Sequence, residues 1–303
     1  MISRYNHQKI NWIDLESPTH EEIVTIAEEF DLHPVVSNEL LAPSERAKVD
    51  VYSNSIYLIL HFPIHNNKTE HIEEVEVDFI LTQDNLITTH YELVEPLHEF
   101  AKVFEVGSYL NSGKNNSHAG FLFFFAMREL YKNSLFILES LGHEIHEVEK
   151  KIFAGNEAEM VANISKINRA LIDIKQSMRY HRETLKSFNQ ACIKMYGDEF
   201  AYYLNAIAGE YERIEQLAEE NRQMIRDLRE TNDSLLSAKS TATIRRLTAV
   251  NVVVLPIMLI VFIFGMNSIY LRLDDALSII LVFGSMIVVG LISFIYFRSK
   301  KWL

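Results

Sequence analysis

The chain holds one cysteine, Cys192, among 303 residues. That excludes an intrachain disulfide and any cysteine-based zinc finger. Prolines number six, and none falls between His118 and Pro256, where glycine is also sparse. So long a stretch without helix breakers predicts a few long helices. No Gly-x4-Gly-Lys-Ser/Thr loop is present, so ATP is not the expected energy source. No nucleophile–base pairing or cofactor loop emerges either, and an enzyme is the least favoured class. The N-terminus lacks the charged-then-apolar pattern of a signal segment. Basic excess is missing too, since net charge is −12. From Arg245 onward six Lys/Arg stand against two acids, which leaves residues 1–244 at −16. An acidic soluble portion argues against nucleic acid as a partner and suits a body that gathers cations.

Charge is absent altogether from two C-terminal runs, Leu247 to Phe264 and Ala276 to Phe297. As helices they would measure about 27 Å and about 33 Å at ~1.5 Å per residue, enough for a hydrocarbon core of ~30 Å. Arg245 and Arg246 precede the first run, and Arg298, Lys300 and Lys301 follow the second, whereas the intervening loop has Arg272 beside Asp274 and Asp275. The basic bias places both chain ends in the cytoplasm and the loop outside.

Residues 1–117 read as a mixed α/β domain. Strands are predicted at 10–15, 47–52, 55–62, 74–81 and 86–90, with turns at Asn66-Asn67-Lys68 and Gln83-Asp84-Asn85. Ser17 is read as the cap of a helix opening at Pro18. A second short helix follows Leu32-His33-Pro34, and a third opens at Pro96. The polar 107–118 stretch reads as a loop. Long helices are predicted at Phe121–Phe153 and Glu157–Met195, with breaks at Gly155-Asn156 and Gly197-Asp198. A third helix, 199–264, would span ~100 Å. Along it Ile207, Ile214, Asn221, Leu228 and Leu235 recur every seven residues, with Tyr211, Ala218 and Ile225 between. Such a seam predicts a coiled-coil-like stalk in search of partners. Asn221 and Asn232, on or near it, would fix register or line a wet passage.

Between the two apolar runs stands Gly265-Met266-Asn267. Irregular backbone is not tolerated against lipid, so the tripeptide belongs at the membrane edge or on a watery path. Gly-Met-Asn closing the first of two C-terminal spans, then a short loop, a second span and the tail Lys300-Lys301-Trp302-Leu303, resembles the CorA family of divalent-cation channels. Trp12-Ile13-Asp14-Leu15, Leu32-His33-Pro34 and Leu86-Ile87-Thr88-Thr89-His90 are similar to that family's N-terminal wording, so the likeness covers nearly the whole chain.

The resemblance implies an α+β cytoplasmic domain, then long helices, then a two-span transmembrane hairpin, in a funnel-shaped homo-oligomer, a pentamer. It divides the chain into a cytoplasmic α/β domain (1–117), antiparallel helices packing on the stalk (118–198), a stalk continuing into the first span (199–264), a selectivity motif and extracellular loop (265–275), the second span (276–297) and a basic tail (298–303). It implies a plasma-membrane channel for Mg2+, with Co2+ or Ni2+ as passengers, driven by the membrane potential. Gly265, Met266 and Asn267 would form the selectivity filter, with Asn267 meeting the metal through hydration water. Helical spacing puts Ile244, Leu247 or Thr248, Asn251, Leu255, Met258 and Phe262 on one stripe. The resemblance makes that stripe pore-lining, with Ile244, Leu247 and Leu255 at gate positions. An amide in mid-span, Asn251, independently favours a bundle interior or aqueous cavity.

The chain also departs from the family pattern. Phe264 replaces a usual Tyr, and Ala242 stands where many members have a pore-lining Asn. The acids of the loop are displaced to Asp274 and Asp275. A metal-sensing Asp-x-x-Asp pair is represented by Ala206 and Gly209, so regulatory metal sites are not carried over. Glu210, Glu212, Glu215, Glu219 and Glu220 read as a solvated helix face. The histidines, with His143 and His146 beside Glu147 on a helix and His61, His65 and His71 around a hairpin, keep open a ZntB-like Zn2+ transporter, with proton coupling as one form of it. A membrane-anchored scaffold or sensor without transport is the remaining alternative.

Overall fold

The structure is a computed structural model that describes residues 1–7, 9–44, 46–66, 71–105, 118–265 and 276–299. Met266, Asn267 and the 268–275 loop lie outside the described residues, as does most of the 107–118 stretch.

Six strands form one sheet: β1 (Ile2–His7), β2 (Ile10–Glu16), β3 (Lys48–Val51), β4 (Ile56–Asn66), β5 (His71–Leu81) and β6 (Asn85–His90). Their spatial order is β1-β2-β6-β5-β4-β3. Only the β2–β6 pairing is parallel. Register aligns Ile13, Ile87, Ile80 and Tyr57 in a row across four strands. This row packs under α1 (His20–Glu29) and α2 (Pro34–Glu39) with Ile23, Ile26, Val36 and Leu40. The alternate positions face the helical layer, where Phe79 meets Phe123 at 5.2 Å and Phe62 meets Tyr131 at 5.9 Å between ring centroids. Both faces are therefore covered, which is why β4 is buried from Ile56 through Ile64 without interruption.

Strand β1 was not predicted. As an edge strand it reads half polar: Arg4 is used in a salt bridge to Glu29 of α1, and Tyr5 stacks 4.9 Å from Trp12. The first helix starts two residues later than predicted. Thr19, not Ser17, is its cap, in a reciprocal box with Glu22, while Ser17 takes φ 43° and donates its hydroxyl to Tyr91 O.

The helical layer comprises α3 (Glu95–Glu105), α4 (Gly120–Phe153), α5 (Glu157–Ser177), α6 (His181–Tyr196) and α7 (Ala201–Gly265), followed by α8 (Ala276–Ser299). The predicted 157–195 helix is thus two helices. The break at Met178–Tyr180 turns His181 inward, where its Nε2 lies 2.7 Å from His61 O and its Nδ1 2.9 Å from the Tyr131 hydroxyl. A straight continuation would forfeit both bonds for a wholly buried imidazole.

The chain divides into two compact units, Met1–Arg229 and Glu230–Leu303. In the first, the heptad seam of α7 is filled by the same chain. Ile207, Tyr211, Ile214, Asn221, Ile225 and Leu228 are all buried. Tyr211 donates to Met178 O at 3.4 Å, and Asn221 Nδ2 donates to Leu138 O of α4 at 2.8 Å. The seam thus finds its partners in the preceding helices of the same chain, and of the two expected roles Asn221, buried and bonded to Leu138 O, does not line a wet passage. Asn232, in the second unit, is buried as well.

Candidate functional site

The second unit pairs the C-terminal part of α7 with α8. Both helices are long and apolar enough to cross a membrane, and their apolar windows are almost wholly unburied by the chain itself. At about 100° per residue, Ala249, Val253, Pro256, Ile257 and Ile260 share one face of α7, and all are buried or partly buried. On α8 the matching face carries Val282, Met286, Val289, Gly290, Ser293 and Phe297. The faces meet at Gly290, where an added Cβ would lie 3.4 Å from Ile257 Cδ1. A bare α-carbon there lets the two helices approach closely.

Ile244, Leu247, Asn251, Leu255, Met258 and Phe262 lie within about 40° of Asn251 around the helix, and Ile260 stands about 180° from it. The stripe is turned away from α8 and is exposed throughout, with Leu247 at 62% and Leu255 at 61%. Thr248, the alternative member, returns its hydroxyl to Ile244 O at 2.9 Å. Gly265 ends α7. The structure thus brings Ile244, Leu247, Asn251, Leu255 and Met258 onto one open face, while Met266 and Asn267 of the filter motif lie outside the described residues.

The acids near the start of α7 are not a purely solvated face. Glu210 pairs with Arg128 at 3.0 Å, Glu219 with Lys175 at 3.2 Å, and Glu215 and Glu212 both with Arg182. They fasten α7 to α4, α5 and α6, although exposed pairs each contribute little. Gly209 has open space around it.

No described group of three or more His, Cys, Asp or Glu is arranged to hold a metal. His143 and His146 are exposed. Glu147 is engaged by Lys150 at 2.6 Å, and His146 lies against Glu149 instead. His61 is buried, with Nε2 2.9 Å from Ser44 O and 3.3 Å from Glu76. Burial opposes its protonation, but the bonds to Glu76 and Ser44 O raise its pKa overall. Cys192 is buried, which pushes its thiol up and leaves it inert.

An α+β domain, a helical layer and two C-terminal helices of membrane length define a class: a membrane protein with a large extramembrane portion and two spans that cover each other along one narrow seam. The chain belongs to the family described as CorA-like Mg2+ transporter protein, which it matches over residues 7–301. Members are ion transporters or channels, not enzymes. The chain is 24% identical over 294 residues to the cobalt/magnesium transport protein CorA of Thermotoga maritima, covering 96% of this chain and 83% of that one. Its fold is similar to the complete structure of the CorA magnesium transporter from Methanocaldococcus jannaschii, with TM-score 0.84, 19% identity and coverage of 99% and 93%. The cytoplasmic domain of ZntB from Vibrio parahaemolyticus is similar at TM-score 0.61 and 15% identity, covering 77% of this chain and 90% of that one.

Proposed function

We propose that this protein is a divalent-cation channel, with Mg2+ as its main ion and Co2+ or Ni2+ as passengers, formed by five copies around a central axis in the plasma membrane. Both termini are cytoplasmic. The observation that carries the reading is the stripe of α7 turned away from α8: a polar amide, Asn251, between apolar residues on an exposed face. Against lipid that amide is costly; around an axis it faces water and ions. Leu247 and Leu255 then form apolar rings that close by excluding water, and Asn251 a polar ring between them.

Mg2+ dehydrates reluctantly and keeps its waters. Five Asn267 amide oxygens at the outer mouth would bond those waters rather than the ion, with Gly265 ending the helix and Met266 packing behind. An inside-negative potential of 100 mV drives a divalent ion with about 4.6 kcal/mol, from ~2.3 per charge.

The test is ion entry into proteoliposomes under an imposed inside-negative potential, comparing Mg2+, Co2+ and Zn2+ for wild type and Asn267→Ala. Voltage-driven Mg2+ entry, lost or made unselective in the variant, is expected. Zn2+ entry that requires a pH gradient would transfer the protein to the ZntB-like reading. Absence of any flux from folded, oligomeric protein would favour a scaffold.

A further inference from the structure

On the sheet face covered by α1 and α2, two carboxyl groups are buried as alternate residues of one strand. Glu76 and Asp78 are alternate residues of β5 and share its α1/α2 face; Asp78 is 0% exposed and Glu76 6%. Glu76 Oε2 accepts from the Ser44 backbone N–H at 2.6 Å and faces His61 Nε2 at 3.3 Å. Asp78 Oδ2 accepts from the Tyr57 hydroxyl at 3.2 Å. The remaining oxygens, Glu76 Oε1 and Asp78 Oδ1, have no hydrogen-bond partner among the described residues. Nor has the hydroxyl of Thr89, which is wholly buried and directly opposite Asp78 in the β5–β6 register, nor that of Tyr91.

Two ionised carboxylates here, with Asp78 opposite Ile59 and two positions from Ile80, would be two buried acceptors with no donor between them, which is strongly unfavourable. One proton between them turns an acceptor–acceptor clash into a hydrogen bond. We infer that Glu76 and Asp78 hold a single shared proton, and that this proton latches Ser44, and with it the connection from α2 to β3, onto the sheet.

The surroundings determine which carboxyl keeps it. His61 and Ser44 N–H stabilise Glu76 as the anion. Asp78 has a phenol and apolar neighbours, and burial, then the Glu76 charge, raises its pKa well above the usual carboxylate range. The other charged or titratable groups nearby are Glu39 of α2, Lys48 and Asp50 of β3, Glu74 of β5, Tyr57 and Tyr91. Lys48 is committed to Glu39 and Asp50 at 2.6 Å each. No cation is therefore left over for Asp78 among these groups. The sign follows. Above about pH 4 the unfolded chain has lost this proton while the fold keeps it. The stabilising effect of the proton is complete below that pH and is lost as pH rises through the folded value. Loss of the proton puts a second charge beside Glu76, and the bond from Ser44 N–H to Glu76, made by a loop residue, opens to admit water.

The test uses the full-length protein in nanodiscs with 13C-labelled aspartate, read by infrared spectroscopy. A protonated aspartic-acid carbonyl band is expected at pH 7, sensitive to the label, absent in Asp78→Asn and lost at high pH. Hydrogen exchange in the peptide covering Ser44, corrected for intrinsic rate, should rise at least tenfold over the pH range in which the band disappears. In Asp78→Asn, a permanently neutral donor, it should stay flat. No protonated aspartate in the labelled wild type at pH 7 would overturn the inference, and that measurement needs no variant to fold. Loss of the band on adding Mg2+ at fixed pH would also overturn it, in favour of a cation seat.

Discussion

The two units use apolar residues in opposite ways. Among the described residues of 1–229 the apolar faces of the sheet and of the long helices pack against other elements of the same chain. Residues 230–303 leave most of theirs open, and cover only the narrow seam where Ile257 meets Gly290. Sequence periodicity is the same in both. The difference is what lies beside α7: three earlier helices along its first part, one later helix along its last. A heptad seam therefore says that a face will be buried, not by whom.

The sharpest way to break the contrast is to damage the core of the first unit. Phe123 is fully buried between Phe79 and Phe188, at 5.2 and 4.6 Å. Phe123→Ala should cost about 3–5 kcal/mol, read as a lowered denaturation midpoint of the soluble unit. A loss under 1 kcal/mol would mean that this core is not what holds the layer to the sheet.

A second effect is pH-dependent. Burial lowers the His181 pKa to about 3, so the fold keeps the ring neutral. The unfolded chain takes up a proton below about pH 6.5. The group's contribution is thus intact above that pH and lost as pH falls towards 3, at about 1.4 kcal/mol per unit. Between pH 7 and pH 5 the loss should reach about 2 kcal/mol, and His181→Gln should flatten the slope. An unchanged slope would show that His181 titrates normally and is not sealed beneath Tyr131.

Much of this architecture was legible. Strands β2, β4, β5 and β6 and the long α4 followed from periodicity and from the missing prolines, because both signals are local. Helical spacing alone puts Ile244, Leu247, Asn251, Leu255 and Met258 on one side of a helix, and the structure keeps them together on an exposed side of α7. What escaped depended on distant partners. β1 is an edge strand with polar residues, the α5–α6 break exists to seat His181, and the acids of α7 find cations on helices far away in sequence. The Glu76–Asp78 pair was invisible because its meaning lies in which hydroxyls fail to reach it.

On the second unit, Asn251→Leu should lower Mg2+ flux about tenfold, equivalent to ~1.4 kcal/mol on the rate-limiting step. The denaturation midpoint of the soluble unit should not move. An apolar ring would then continue from Leu247 to Leu255 with no polar break for a hydrated ion. Unchanged flux would mean that the stripe faces lipid or a neighbouring helix.

The smallest effect discriminates best between the units. Asn221 occupies a seam position 30 residues before Asn251, and by sequence alone it could fix register or line a wet passage. Its Nδ2 donates to Leu138 O, and its Oδ1 would stand 3.3 Å from a Cβ placed on Gly142. Leu138 O is a helix carbonyl, so losing the side-chain donor leaves it with its backbone partner. Asn221→Ala should therefore cost only about 1 kcal/mol of folding stability, with flux and oligomeric state unchanged. Gly142→Ala, which crowds the same amide, should weaken the same joint in the same modest way. A fall in flux or a change of oligomer in Asn221→Ala, with stability intact, would return that asparagine to an axis between copies and erase the division between a self-sealed unit and an open one.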